Sequence, residues 1–122
     1  MAYDRNNIFA RILSGEVPCK KILETEHVLA FHDISPQRPV HMLVIPKGEY
    51  ESLDDLTAKA PPAAIAALFA AAGQIAREAG LDQTGYRLIV NTGRDGGQEV
   101  PHLHLHIVGG ASAGPMLKRR EA

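Results

Sequence analysis

Histidine alternates with leucine in the segment PHLHLHIVGG, residues 101–110, and this period of two strongly constrains the fold. Successive side chains of a β-strand point to opposite faces, whereas a helix distributes such positions around its axis. The segment therefore predicts a strand with three histidines on one face and the intervening apolar residues in the core. These histidines are His102, His104 and His106.

The alternation alone leaves three interpretations of the histidines open. Imidazoles at positions i and i+2 of one strand can bind a metal ion, often with a third ligand from elsewhere. An imidazole can also act as a nucleophile if its tautomer is fixed and nearby donors stabilise the developing negative charge. The third interpretation, surface or hydrogen-bonded histidines without chemistry, is the better one for a single histidine but is weaker for three in register.

Four further segments are predicted to be strands because branched apolar residues fill them and turn residues separate them. Their sequences are CKKILET, HVLAFHD, HMLVIP and YRLIVNTG, and the first three are expected to form a meander. The glycine-rich RDGGQE segment separates the fourth from the histidine strand. Five strands with one short and one long helix predict an α+β fold with an antiparallel sheet.

Both helices are predicted from their caps and periodicity. Asn6 or Asn7 can cap a short helix that ends at Gly15, and the alanine-rich segment PPAAIAALFAAAGQIAREAG, which begins with proline, is expected to end at Gly80. Because residues 63–73 of the long helix include no charged residue, its outer face is expected to meet another subunit in a homodimer. Its predicted core stripe consists of Ile65, Leu68, Phe69, Ala72 and Ile75 or Ala76.

Composition excludes several classes of protein. The 122 residues suffice for one domain, and 13 Lys plus Arg against 14 Asp plus Glu leave no broad basic surface for a nucleic acid polymer. No stretch of roughly 18 apolar residues predicts a membrane span, and no apolar run follows a basic start. Cys19 is the only cysteine, which fits a reducing compartment, so we expect a soluble cytoplasmic protein.

Polar and glycine residues before the histidine strand predict an anion site. Asn91 ends the preceding strand, and Gly93, Gly96 and Gly97 can bring backbone amides close to an anion. An ordinary turn would use the same glycines equally well, and neither a GK[ST] nor a GxGxxG motif is present. The segment is therefore interpreted as a phosphate-sized environment beside the histidines.

Three stretches together resemble the histidine triad (HIT) family, in its histidine-triad nucleotide-binding (HINT) branch. They are HLHLHIV at 102–108, AFHDISPQRPVHMLVIPK at 30–47 and VNTGRDGGQEVPHLHLHIVGG at 90–110, and the resemblance covers about residues 8–117. It implies one HIT-like domain over residues 1–122 with a C-terminal tail at 111–122, in a homodimer whose sheet continues across the two subunits. It also implies hydrolysis of purine nucleoside 5′-phosphoramidates, conjugates of AMP or GMP, through a covalent nucleotidyl-histidine.

The resemblance assigns a role to each matching residue. His104 is expected to be the nucleophile, His106 to contact the phosphate and help protonate the amine, and His102 to orient the site. His41 is expected to join the proton network, or simply to open a buried strand, and Asp33 to accept both ribose hydroxyls. Phosphate contacts are expected from Asn91 and the backbone of Gly97, Gln98 and Glu99. The base is expected to lie among Ile8, Phe9, Ile12, Val17, Phe31 and Ile34, each of which could equally be a plain core residue.

One position and the C-terminal segment depart from the family pattern. Glu99 stands where some relatives have a hydroxyl, and its charge opposes an anion, so its backbone amide is the expected contact. The tail GASAGPMLKRREA lacks the tryptophan of some relatives, which leaves the leaving-group preference open. Its Lys118, Arg119 and Arg120 either meet a substrate carboxylate or form a solvated terminus.

The main hypothesis is an enzyme without a cofactor or essential metal, because loop amides and a histidine can stabilise the phosphoryl group without one. Two rival functions remain. One is a regulatory module that binds zinc or nucleotides. The other is a dinucleoside polyphosphate hydrolase or nucleotidyl transferase that uses the same nucleophile.

Overall fold

The computed structural model describes residues 2–119, which form a five-stranded antiparallel sheet with four helices and confirm the predicted α+β class. The strands are β1 (Lys21–Glu24), β2 (Val28–His32), β3 (Val40–Pro46), β4 (Tyr86–Val90) and β5 (Leu105–Gly109). The helices are α1 (Ile8–Leu13), α2 (Leu53–Lys59), α3 (Pro62–Glu78) and α4 (Leu81–Thr84). Arg120, with the end of the predicted tail, lies outside the described residues.

The sheet places the histidine strand away from both of its edges. Its order is β1-β2-β3-β5-β4, so the first three strands form the predicted meander and β5 lies between β3 and β4. All neighbouring pairs are antiparallel. Residues of β5 are therefore fixed by backbone ladders on both sides, whereas β4 has a free edge.

The two faces of the sheet carry different residues because side chains alternate along each strand. On the helix face, Met42 lies opposite Ile107, and both pack into one cluster with the buried residues of α3. On the site face, Leu43 and Ile89 lie opposite His106. The short helix α1 packs on this second face. The long helix and the pocket histidines consequently lie on opposite sides of the sheet.

The helix ends follow the predicted capping chemistry. Asn7 is the N-cap of α1, where its side-chain oxygen accepts the Ala10 amide hydrogen at an N···O distance of 2.9 Å. Gly15, just beyond α1, has φ 85°, and Gly80, just beyond α3, has φ 77°. Only glycine adopts this left-handed conformation without a steric penalty, which explains why both helices stop there.

The sequence missed two short helices. Helix α2 is capped by Ser52 but buries only Leu56, so it has no apolar stripe that periodicity could reveal. Helix α4 is a single turn between Gly80 and Gly85, both with positive φ. The predicted arrangement of one short and one long helix is thus incomplete.

The predicted core stripe of α3 was wrong at Phe69, whose side chain is 42% exposed. The buried positions of α3 are Leu68, Ala71, Ala72, Ile75 and Ala76, while Ile65 is half-buried. A helix turns by about 100° per residue, so Phe69, directly after Leu68, lies at the edge of that stripe, where its side chain reaches solvent.

The histidine strand is shorter than the alternation predicted. The ladders of both neighbours end at Leu105, which lies opposite Val44 and Val90, so within the described part of the chain no strand pairs with His102 or His104. Leu103 nevertheless enters the core fully buried, so the alternation itself persists beyond the strand.

The free edge of the sheet has an apolar surface. Tyr86 and Leu88 of β4 are 43% and 38% exposed, and Phe69 is exposed on α3. This surface is consistent with the predicted homodimer, which stays a prediction. Within residues 2–119, no helix is long and apolar enough to cross a membrane.

Candidate active site

A cavity of about 580 Å³ on the site face brings most of the predicted residues together. The predicted residues that line it are Ile8, Phe9, Ile12, Val17, Phe31, Asp33, Ile34, His41, Asn91, Gly97, Glu99, His104 and His106. Wall residues that the sequence analysis did not identify are Pro18, Cys19, His32, Ser35, Gln37, Leu43 and Val100. His102 and Gln98 lie outside the wall, so only two of the three alternating histidines face the cavity.

His104 is held in one tautomer by a backbone carbonyl. Its Nδ1 lies 2.7 Å from the carbonyl oxygen of His102, and because that oxygen can only accept, Nδ1 carries the proton. Phe9 packs edge-on against the ring, with centroids 4.9 Å apart. The lone pair of the neutral ring is therefore on Nε2, where a nucleophile needs it.

His102 is fully buried, and both of its ring nitrogens have partners. Nε2–H donates to the Pro46 carbonyl oxygen at 2.9 Å, and Nδ1 accepts the hydroxyl hydrogen of Tyr3. The ring packs edge-on against Tyr3, with centroids 5.6 Å apart. His102 thus anchors the segment while its own carbonyl fixes His104. Tyr3 lies 99 residues away, and no pattern in the sequence identified it.

A second hydrogen-bonded chain fixes His106. The Gln37 amide donates to Nδ1 of His41 at 3.0 Å, so the His41 proton is on Nε2. Nε2 of His41 lies 3.0 Å from Nδ1 of His106 and 3.4 Å from a carboxylate oxygen of Asp33. Nδ1 of His106 is therefore an acceptor, and its proton lies on Nε2. The His104 and His106 rings lie 4.9 Å apart, one with a lone pair and the other with a donor.

Burial keeps the three alternating histidines neutral. Desolvation lowers the pKa of His102 and of His104 below the ordinary histidine value. Desolvation, reinforced by the neighbouring His104 and His41, lowers the pKa of His106 to about 4. Neutral rings have the single-proton tautomers described above, so one lone pair and one N–H donor coexist at pH 7.

Asp33, His41 and His106 also form a group that could hold a metal ion, with ligand atoms within 4.8 Å of one another. A histidine that binds a metal through Nε2 keeps its proton on Nδ1 and donates it to a second group. At His41, however, Nδ1 accepts a hydrogen bond from Gln37. Metal binding would break that bond, so the observed geometry favours a proton network over a metal centre.

The glycine loop after β4 is braced from within. Gly93 and Gly97 have φ 70° and 76°, and the Gly97 and Gln98 amides donate to carbonyls inside the loop. The Gln98 side chain accepts the Gly93 amide hydrogen at 3.0 Å and donates to the Glu51 carbonyl oxygen. Among residues 2–119, the Glu99 amide has no hydrogen-bond partner. Gln98 therefore shapes the loop, while Glu99 offers a free donor.

The architecture resembles solved structures of one fold class. A crystal structure of a HIT family hydrolase from Legionella pneumophila superposes with a TM-score of 0.82 at 39% sequence identity, over 88% of this chain and 95% of that one. The five-stranded antiparallel sheet, with its helices and the histidines on the site face, is thus the HIT fold predicted above.

The chain belongs to the HIT domain family, whose model matches residues 14–113. It is 60% identical over 117 residues to a HIT-like protein of Azospirillum brasilense, described as uncharacterized, covering 96% of each chain. It is 42% identical over 113 residues to the purine nucleoside phosphoramidase of Escherichia coli strain K12, covering 93% of this chain and 94% of that protein. The family resemblance predicted from the sequence is confirmed.

Proposed function

We propose that this protein hydrolyses purine nucleoside 5′-phosphoramidates, adenosine derivatives first among them, through a covalent nucleotidyl-His104 intermediate. One observation carries the proposal: the backbone leaves the lone pair of His104 on Nε2, while His41 leaves a proton on Nε2 of His106. A P–N bond needs both a nucleophile for phosphorus and a donor for the departing nitrogen. The 42% identity to the Escherichia coli phosphoramidase supports the same substrate class.

The proposed reaction has two steps, formation and hydrolysis of the nucleotidyl-histidine. In the first, Nε2 of His104 attacks the α-phosphorus, and the amine leaves with the electron pair of the P–N bond. The departing nitrogen takes up a proton, which His106 helps to deliver. In the second step, water attacks phosphorus, the new P–O bond replaces the P–Nε2 bond, and the electron pair of the broken bond returns to Nε2 of His104. Water gives one proton back to His106, and the nucleoside 5′-monophosphate leaves.

Substrate contacts follow from the cavity walls. Phe9, Phe31 and other apolar residues near α1 enclose the base, and the Asp33 carboxylate accepts the ribose hydroxyls. The free amide of Glu99 and the side chain of Asn91 donate to the phosphate. These donors stabilise the negative charge on the phosphoryl oxygens in the transition state, so the proposed reaction does not require a metal ion.

Homodimer formation is part of the proposal. The exposed residues Phe69, Tyr86 and Leu88 supply an apolar contact, and the free edge of β4 supplies unpaired backbone groups that can continue the sheet into a second copy. A monomer in sedimentation at micromolar concentration would contradict it.

Metal-stripped protein is expected to cleave adenosine 5′-phosphoramidate to AMP, and to cleave it faster than a dinucleoside polyphosphate. The P–N substrate needs only the histidine pair, whereas the rival functions need a zinc ion or a phosphate leaving group. Product release with both substrates, measured with a chelator and after addition of Zn²⁺, separates the three functions. Activity only after Zn²⁺ addition, or faster cleavage of the dinucleoside compound, would replace our proposal with a rival.

Acidification is expected to destabilise the fold and inactivate the enzyme. Because burial lowers the pKa values of the three histidines in the folded state, the unfolded chain binds more protons below about pH 6.5. Stability is therefore full above that pH and falls by up to about 1.4 kcal/mol per pH unit for each histidine as pH drops towards its folded pKa. The fall in kcat/KM should likewise have its midpoint below 6.5, since protonation removes the His104 lone pair.

Urea denaturation at pH 7.5 and pH 5 measures the stability change. His106→Asn should reduce the loss of stability on acidification, whereas His27→Asn, outside the cavity, should leave it unchanged. Greater stability at pH 5 than at pH 7.5, or equal losses in both variants and the parent protein, would contradict the assignment.

A further inference from the structure

A second cavity, of about 220 Å³, adjoins the candidate active site on the site face. It shares four wall residues with the larger cavity: Gln37, His41, Asn91 and His106. His104 lines only the larger cavity. The smaller one is therefore reached from His104 by passing His106.

Two arginines, Arg38 and Arg87, line this second cavity, which we call the arginine pocket. Both guanidinium groups donate hydrogen bonds to backbone carbonyls of the chain after β5, which are uncharged. Arg38 donates to the carbonyl oxygens of residues 112 and 113 at 2.8 and 3.0 Å, and Arg87 to those of residues 114 and 115 at 2.9 and 3.0 Å. No carboxylate of residues 2–119 lies within ion-pair distance of either guanidinium.

Within residues 2–119, the arginine pocket consequently has positive charge that no ion pair compensates, and it has spare donors. A guanidinium has five N–H groups. Arg38 uses three in hydrogen bonds and Arg87 uses two, so donors remain on both side chains. The planar guanidinium matches a carboxylate, which accepts two parallel hydrogen bonds and neutralises one charge.

The reaction direction connects this pocket to the leaving group. In a phosphoryl transfer, the attacking and departing atoms lie roughly in line on opposite sides of phosphorus. With His104 attacking and His106 facing the departing nitrogen, the amine leaves past His106 into the arginine pocket. The charged groups of this pocket are Arg38 and Arg87, whereas Lys118 and Arg119 of the tail do not line it.

We propose that the arginine pocket binds the leaving group and favours amines that carry a carboxylate, such as an amino acid joined to the nucleotide through its amine. This inference rests on the proposed function and adds the chemical class of the leaving group. Arg38 and Arg87 act as specificity-determining residues that contact the departing group and take no part in the attack on phosphorus.

Three adenosine 5′-phosphoramidates test the proposal: the unsubstituted compound, the glycine conjugate with a free carboxylate, and the neutral glycinamide conjugate. The parent protein is expected to cleave the glycine conjugate with a kcat/KM about tenfold above that of the glycinamide conjugate, as for one partly exposed charge-assisted contact. This ratio should approach one in Arg38→Gln and in Arg87→Gln. Added salt should also lower it, because the contact is open to solvent.

The ratio separates recognition from a structural role of the arginines. If Arg38→Gln and Arg87→Gln lower kcat/KM equally for both conjugates and keep the ratio, the arginines serve only to hold the tail and the proposal is wrong. Equal cleavage of both conjugates by the parent protein would also overturn it. Arg77→Gln, on α3 across the sheet, is the matched control and should keep the parent ratio.

The unsubstituted compound distinguishes the two proposals. Its leaving group is ammonia, which lacks any group for the arginine pocket. If this compound is cleaved but the glycine conjugate is not preferred, the leaving-group inference alone fails. If none of the three compounds is cleaved, the proposed function fails, and the inference fails with it.

Discussion

Replacement of His104 by alanine is expected to lower kcat/KM for adenosine 5′-phosphoramidate by on the order of 10⁴-fold or more, because it removes the proposed nucleophile. The remaining walls still bind the nucleotide, so the loss should lie mainly in kcat. Steady-state rates with the purified variant measure it. The folded structure should survive, since the hydrogen bond lost with the ring is to a carbonyl that the cavity can hydrate.

Intact-mass analysis after rapid mixing gives an independent measurement of the same role. The parent protein should gain the mass of one nucleotidyl group, mapped to His104, while His104→Ala should gain none. His27→Ala is the matched control, because His27 lies outside the cavity, and it should retain both the adduct and the rate. An active His104→Ala variant, or an adduct on another residue, would show that the nucleophile is wrongly assigned.

The sequence predicted the strands because runs of branched apolar residues, bounded by turn residues, are local features of the chain. The alternation from His102 to Ile107 identified which side chains enter the core, even where no ladder continues. Phe69 was misplaced because alanine lines both sides of the long helix, so the apolar pattern did not define a single stripe. Helix α2 was missed because it buries a single residue, so its sequence shows no apolar stripe.

The chemistry of the site depended on long-range contacts that no local pattern contains. The family resemblance, and not the spacing of residues, predicted that His41 lies near the histidine strand. His41 and His106 are 65 residues apart in the sequence, and only the folded sheet brings their rings within hydrogen-bond distance. The tautomers of His102 and His41 depend on further hydrogen-bond partners: the Pro46 carbonyl, the Tyr3 hydroxyl and the Gln37 amide. Such groups are common in any sequence, so no local pattern identifies them as partners.

The carboxylate of Asp33 has free acceptor sites for the ribose hydroxyls of the proposed substrate. One of its oxygens accepts the Ser35 amide hydrogen at 2.7 Å, and the other lies 3.4 Å from Nε2 of His41. A carboxylate has about four acceptor sites, so two remain for hydroxyl donors. The carboxylate also lines the cavity near Ile34, which is 96% exposed and leaves the rim open to a nucleoside.

Substitution of Asp33 by alanine is therefore expected to lower kcat/KM for the ribonucleotide substrate by about 10²- to 10⁴-fold, the equivalent of two charge-assisted hydrogen bonds of roughly 1.5–3 kcal/mol each. The loss should nearly vanish when the substrate is the 2′,3′-dideoxy analogue, because the parent protein has already lost the same contacts. Asp54→Ala, on the exposed side of α2, is the control and should respond to neither change. An equal loss with both substrates would mean that Asp33 acts through His41 on the proton network, since that contact does not depend on the sugar.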